Sequence, residues 1–368
     1  MSGVRVLPEA AELLRRLGSG RNGRMLAALS RHRRLVVAAG IALAAAGLGR
    51  REHASAMGRF DELREKHKDV SLAGKQAVVV GGTSGIGMGI AVRLAESGAD
   101  VTIVGRDAGR GAQIVTQMQA AAPEGASPQL SFVACDCFSL PAVAACAASI
   151  AEGSQTGKLD FLALTQGMAT TQGRTNTADG LDQKLSLHYY SRVAFADLLL
   201  PLLEKAEPGG RVLTVLSAGV HGTYDGWRED TGLSAANYSM KNAADIAGFY
   251  NDLWMDTMAR EHPKLSFIHS APGFVNTNWG TELPVVLRGL VRCIQPLGAS
   301  PSTCAEFMCA SLFDPDMASG FHLRSPKFEA AEPRPEHEEA RELVWEHTME
   351  VVRRLAVAPA AGGGAPSA

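Results

Sequence analysis

Lys75–Gly87, KQAVVVGGTSGIG, decides the fold. An apolar run, Ala77–Val80, stops at a glycine-dense turn, and a helical pattern starts at Ile86 and continues to about Ser97. Strand, glycine turn and helix in that order form a dinucleotide site. Gly81 lets the chain turn off the strand, Gly85 lets backbone approach a pyrophosphate, and Gly87 lets the helix lie close on the sheet. The phosphates then meet the orphan N–H groups and positive dipole end of the helix. A second strand, Val101–Gly105, follows one helix later, as a βαβ unit requires.

The spacing Gly81-x-x-x-Gly85-x-Gly87 resembles the TGxxxGIG signature of the short-chain dehydrogenase/reductase family, with Val80 in place of Thr. The resemblance runs over about Ser71–Arg324. It implies an α/β, doubly wound parallel sheet of Rossmann type that binds NAD or NADP and interconverts a carbonyl and an alcohol.

Composition bounds the rest. With 368 residues and 46% apolar content the chain buries a large core and exceeds one such domain by roughly 100 residues. The formal charge of −2 excludes a global nucleic-acid surface. The charge is uneven: Arg5, Arg15, Arg16, Arg21, Arg24, Arg31, Arg33 and Arg34 crowd residues 1–34 against Glu9 and Glu12. Residues 35–49, LVVAAGIALAAAGLG, follow, fifteen residues against the roughly 20 that span a bilayer. An Arg-rich leader suits mitochondrial import, and a basic region before an apolar run suits a membrane anchor. A packed amphipathic helix or a disordered extension in a cytoplasmic protein is the competing reading. The expected division is 1–51 targeting or anchor, 52–70 charged spacer, 71–325 the nucleotide-binding domain, 326–355 a helical extension and 356–368 a low-complexity tail. Six cysteines show no CxxC pair, so buried free thiols and no metal are expected.

Along the domain, Asp100–Gly105 ends in Gly105-Arg106-Asp107. An NAD-preferring site places an acid at this strand end. Here Gly105 leaves room and Arg106 supplies positive charge for a 2′-phosphate, so NADP is expected over NAD. Leu130–Ala134 ends at Asp136, where the family often places an acid beside the adenine; the same acid could instead cap the helix from Leu140. Leu159–Leu164 ends in Thr165-Gln166-Gly167, keeping only the glycine of the family's Asn-Asn-Ala-Gly. A helical pattern from Gly180 to Leu203 carries His188, where the family has a helix-kinking asparagine. His188 is either a core residue or a substituted proton relay. Ser217 stands beyond the strand Arg211–Leu216, at the sheet edge where ligands bind. The twenty residues Ala218–Asn237 resemble the long-loop, retinol-dehydrogenase-like members. Ala271–Thr277 resembles the family's PGxVxT turn, implying that Pro272, Gly273, Val275 and Thr277 hold the cofactor alongside Gly81, Thr83, Ser84, Gly85, Ile86, Gly87, Gly167 and Lys241. The apolar stretch 278–301 suggests a lid over a lipophilic substrate, or a patch facing a membrane or a second copy. The resemblance also implies a homodimer paired through the two long helices.

The resemblance makes Tyr238 the acid/base, Lys241 its activator and Ser217 the partner of the substrate oxygen. The family spacing is Tyr-x-x-x-Lys; here Tyr238-Ser239-Met240-Lys241 is one residue short. On a helix expected over Ser234–Arg260, Tyr238 is turned about 100° and raised about 1.5 Å from the family position, which falls on Asn237. Either a distorted turn returns Tyr238 to the nicotinamide, or the acid/base position is empty and the chain binds NADP(H) without turning a substrate over.

Overall fold

The computed structural model describes residues 58–277, 292, 295, 298–326 and 328–356, all within a compact unit that starts at His53. Among the described residues seven parallel strands form one sheet, in the order β3-β2-β1-β4-β5-β6-β7. They are β1 Gln76–Val80, β2 Asp100–Gly105, β3 Leu130–Ala134, β4 Phe161–Leu164, β5 Arg211–Val215, β6 Ser266–Ser270 and β7 Gly320–Arg324. The build direction reverses between β1 and β4, so the crevice at their carboxyl ends is where a doubly wound sheet binds its ligand. Register is set there by Val80, opposite Val104 on one side and Leu164 on the other.

Alternation along β1 divides the core. Val78 and Val80 enter the cluster on one face, Ala77 and Val79 the cluster on the other. The first face is covered by α4 (Leu140–Gly153), α5 (Gln183–Leu185), α6 (Ser191–Leu203), α7 (Met240–Glu261) and α9 (His337–Ala356). The second takes α1 (58–66), α2 (Gly85–Glu96), α3 (Ala108–Ala121) and α8 (Pro301–Phe313). Burying strands on both faces explains why they read as apolar runs.

Several boundaries differ from the sequence expectation. The charged spacer contains α1, which buries Leu63 and sends Arg64 to Glu306 at 3.0 Å and to Glu96. β4 begins at Phe161 because Asp160 is engaged below the sheet, accepting from Lys75 Nζ and from Gln76 N–H, each at 2.8 Å. The helical extension is part of the core: α9 buries Val344, Met349, Val351 and Val352 in the first cluster. Cys135, Cys137, Cys146, Cys304 and Cys309 are buried free thiols; Cys293 lies outside the described residues. Among the described residues no helix is long and apolar enough to cross a membrane. The targeting segment 1–51, the tail and most of the expected lid lie outside them.

Candidate functional site

At the carboxyl end of β1 the glycines are fixed by what stands against them. Gly81 has φ +81°, and a Cβ there would lie 2.7 Å from Thr165 Oγ1. A Cβ on Gly87 would collide with Thr165 and the Gly81 carbonyl. Thr165 Oγ1 donates to the Val80 carbonyl at 2.7 Å, bracing β1 to β4 where the family uses asparagine. Ser84 is the N-cap of α2 but makes no side-chain cap bond, and no acid stands in the first turn. The orphan N–H groups of that turn are therefore available to an anion. Ile86 packs into the core behind them.

The second wall is the turn after β6. Thr277 Cγ2 lies 3.3 Å from where a Gly85 Cβ would stand, so the glycine turn and the Pro272–Thr277 turn face each other. Val275 bridges to Ala299, the Thr277 carbonyl accepts from Gln295 Nε2 at 2.6 Å, and Gly273, at φ +69°, fits beside Pro326. Past β2, a side chain on Gly105 would strike Thr83. Asp107 is spent as the N-cap of α3, accepting from Arg110 N–H at 3.0 Å. Arg106 stays exposed over the Phe138 ring at 5.4 Å. Asp136 is exposed as well; α4 is capped by Ser139, and Asp179 accepts from Leu140 N–H at 2.7 Å. A cradle whose Cβ positions are barred and whose helix N-terminus is uncapped fits a dinucleotide.

The substrate end departs from expectation. The long helix starts at Met240, with Ser239 Oγ accepting from Asn242 N–H at 3.0 Å as its cap. Tyr238 and Lys241 therefore do not share a helix. Upstream, the Asp230 carboxylate gathers Ser234 N–H, Ser234 Oγ and Asn237 Nδ2 within 2.8–2.9 Å, holding a turn where a helix was expected. Lys241, its side chain 76% exposed, pairs with Asp245 at 2.5 Å, which raises its ammonium pKa. The Tyr238 hydroxyl instead receives Lys184 Nζ at 2.8 Å. Burial, with the charge of Asp182 adding, pushes the phenol up to about 12.

His188 lies in a π turn, Ser186–Tyr190, between α5 and α6. Its carbonyl accepts from Asn251 Nδ2 at 2.9 Å. Its Nε2 accepts from Met168 N–H at 2.7 Å, across from Gly167. Burial, then Arg192 and Lys184, pulls the imidazole down to about 3. It carries no titrating proton near neutrality and works as a fixed acceptor rather than a relay.

Ser217 is anchored from beneath. Its N–H donates to His269 Nε2 at 3.1 Å, so the His269 proton sits on Nδ1, 2.5 Å from Asp252. The other Asp252 oxygen meets His221 Nε2 at 2.9 Å. Burial alone would raise the Asp252 carboxyl, but the charges and hydrogen bonds of the two imidazoles outweigh it and hold it at about 2. Fully buried Arg192 ties the ends of β4 and β5, donating to the Gln166 carbonyl at 2.6 Å and the Val215 carbonyl at 3.1 Å. The desolvation lowers its guanidinium to about 9.

The profile of the family described as short chain dehydrogenase matches residues 75–283. The chain belongs to that family. An oxidoreductase of Emericella nidulans is 37% identical to this dehydrogenase-family chain over 204 residues, 55% of this chain and 59% of that protein. An oxidoreductase of Emericella variicolor is 32% identical over 233 residues, 62% and 63% of the two chains. The dehydrogenase-family chain thus spans about three fifths of the length of these relatives. Human dehydrogenase/reductase SDR family member 13 is 27% identical over 75% of this chain and 72% of its own. Among solved structures, a Serratia marcescens short-chain dehydrogenase/reductase mutant superposes with TM-score 0.53 at 21% identity, covering 70% of this chain and 99% of that one. Salutaridine reductase of Papaver somniferum gives 0.51 at 18%, covering 67% and 98%. At these identities the two structures show the shared short-chain dehydrogenase fold.

Sequence reasoning missed Lys184, His221, Asp252, His269 and Arg192. A polar signal was present for some: His269 interrupts the buried strand SFIHS, and Lys184 stands four residues before His188.

Proposed function

We propose that this short-chain dehydrogenase is an NADP-dependent oxidoreductase that interconverts a carbonyl and an alcohol on a lipophilic small molecule. The glycine cradle, closed to a Cβ at Gly81 and Gly87, with Gly85 in a left-handed conformation facing Thr277 and the exposed Arg106 beside it, carries the reading. When bound, the nicotinamide cofactor supplies or accepts the hydride equivalent. The first turn of α2 would hold its pyrophosphate, Arg106 its 2′-phosphate, Asp136 the adenine side, and Pro272–Thr277 the nicotinamide end.

The chain's own residues must hold the substrate oxygen and move one proton. Ser217, pinned by His269, donates to that oxygen. Tyr238 gives its phenolic proton to the oxygen as the carbonyl becomes an alcohol, and takes it back in the reverse direction. A phenol near 10 in water is a poor base at neutral pH, so a neighbouring cation must stabilise its charged form. Exposed large apolar side chains beyond β5 and β6, Val220 and Phe274 in the loops and Met240 at the start of α7, support a lipophilic substrate. The long β5–α7 connection supports the long-loop subtype.

The test is a titration of residues 52–368 with NADPH and NADH by intrinsic fluorescence, followed by NADPH oxidation over a panel of ketones, aldehydes and quinones. The expected result is NADPH binding with turnover, lost by at least ~100-fold in Tyr238→Phe at unchanged cofactor affinity. Turnover surviving that change removes Tyr238 from the chemistry. Binding with no turnover on any substrate supports a cofactor-responsive protein in its place.

A further inference from the structure

The ammonium that the resemblance assigns to the phenol is elsewhere. Lys241 is exposed and closed in a pair with Asp245. Another lysine, 54 residues before Tyr238, sits on its oxygen. Lys184 is 7% exposed, and its Nζ has three neighbours: Tyr238 Oη at 2.8 Å, the Gln172 carbonyl at 2.9 Å and the Gly173 carbonyl at 3.2 Å. Three acceptors match the three N–H bonds of an ammonium, which donates and cannot accept. The phenol oxygen is therefore the acceptor in this contact. Two of the donors also tie residues 172 and 173, in the segment between β4 and α5, to the same point.

The approach is built from the backbone upward. Asp182 caps α5 by accepting from Lys184 N–H at 3.0 Å and Leu185 N–H at 3.3 Å, while its other oxygen takes Thr175 N–H at 3.2 Å. That cap aims the Lys184 side chain back across the 172–175 segment. Tyr238 arrives on the turn that Asp230 holds, and its ring centroid lies 5.4 Å from the same ammonium, which sits beyond the hydroxyl. The charged groups around the phenol are then Lys184, Asp182 and Arg174.

We propose that Lys184, not Lys241, positions the Tyr238 phenol and stabilises its deprotonated form. The assignment rests on Tyr238 being the acid/base. Lys184 acts through Tyr238, so it is a positioning residue. The usual arrangement carries tyrosine and lysine on one helix; here the two come from separate elements, and the short Tyr238–Lys241 spacing has no consequence for proton transfer.

The experiment follows the ring carbon bearing the hydroxyl in tyrosine-13Cζ-labelled, cofactor-free full-length protein, with the Tyr238 resonance assigned through Tyr238→Phe. In Lys184→Met the onset of titration should move at least one pH unit higher than in wild type, a tenfold loss of phenolate at a given alkaline pH. Lys184→Gln keeps a donor for the two carbonyls without the charge and should give the same shift with a wild-type melting temperature. Lys184→Arg should restore the wild-type onset in part, and Lys241→Met should leave it unmoved. Turnover in Lys184→Gln should fall through kcat, with the alkaline limb of its pH profile displaced upward and KM little changed. An unshifted resonance in Lys184→Gln, or a shift in Lys241→Met instead, overturns the proposal. Failure of the underlying reading looks different: the Lys184 shifts stand, but Tyr238→Phe keeps turning over.

Discussion

His188 has a calculable consequence because its partner is a backbone N–H. Its folded-state pKa, about 3, lies below the ordinary imidazole value of about 6.5. Between those values the unfolded chain binds a proton that the folded chain refuses. Stability is therefore present above 6.5 and falls as the pH drops toward 3, by about 1.4 kcal/mol per pH unit. At pH 5 the cost is on the order of 2 kcal/mol. His188→Gln keeps an acceptor for Met168 N–H and does not titrate. Urea denaturation at pH 7 and pH 5 should show the variant losing about 2 kcal/mol less than wild type over that interval; parallel losses would place the acid sensitivity elsewhere. At Arg106 the question is cofactor choice. Arg106 is exposed and lies over the Phe138 ring, so Arg106→Ala should weaken NADPH binding about tenfold to a hundredfold and leave NADH unchanged. Equal weakening of both in paired titrations would make it a general surface charge.

At the scale of elements, what was legible in the sequence and what was not separates by range. The strand, glycine turn and helix of Lys75–Glu96 are local: apolar run, turn chemistry and helix start lie within some twenty residues and agree with one another. β3 and β5 were legible for the same reason, as short runs at Leu130–Ala134 and Arg211–Leu216 that stop just before Asp136 and Ser217. The start of α7 was not, because residues 234–239 carry helix-compatible side chains and are diverted by the Asp230 carboxylate, reaching forward four and seven residues, together with the Ser239 cap. The pairing of Tyr238 with Lys184 spans two elements and has no local sign. Asp230 thus sets both a helix boundary and the place of Tyr238. Asp230→Ala should cost about 1–2 kcal/mol, seen as a fall of a few degrees in melting temperature. It should also lower turnover by about tenfold or more while NADPH affinity holds, since displacing a reacting group by an ångström is expensive. Turnover falling only in step with the folded fraction would separate the turn from the chemistry.

At the scale of the molecule, the last helix changes what the fold needs. α9 lies against α4, α6 and α7, joining Thr348 to Tyr189 Oη at 2.5 Å, His347 to Tyr190 Oη at 3.2 Å and His337 to Asp256 at 3.2 Å. The face of the two long helices that the family resemblance marked for pairing is occupied by the chain's own carboxyl-terminal segment, so a dimer built there would have to displace α9. Val344, Met349, Val351 and Val352 are 0–6% exposed, and four such side chains contribute roughly 6–12 kcal/mol between them. That is comparable with the whole stability of a domain, about 5–15 kcal/mol. A chain ending at residue 332 should therefore not persist as a folded monomer. Size-exclusion chromatography and thermal unfolding should find it aggregated or without a cooperative transition, where the chain ending at 356 melts cooperatively. A discrete, stable dimer of the shortened chain would mean instead that the uncovered helices pair with a second copy, and that α9 is what keeps them apart.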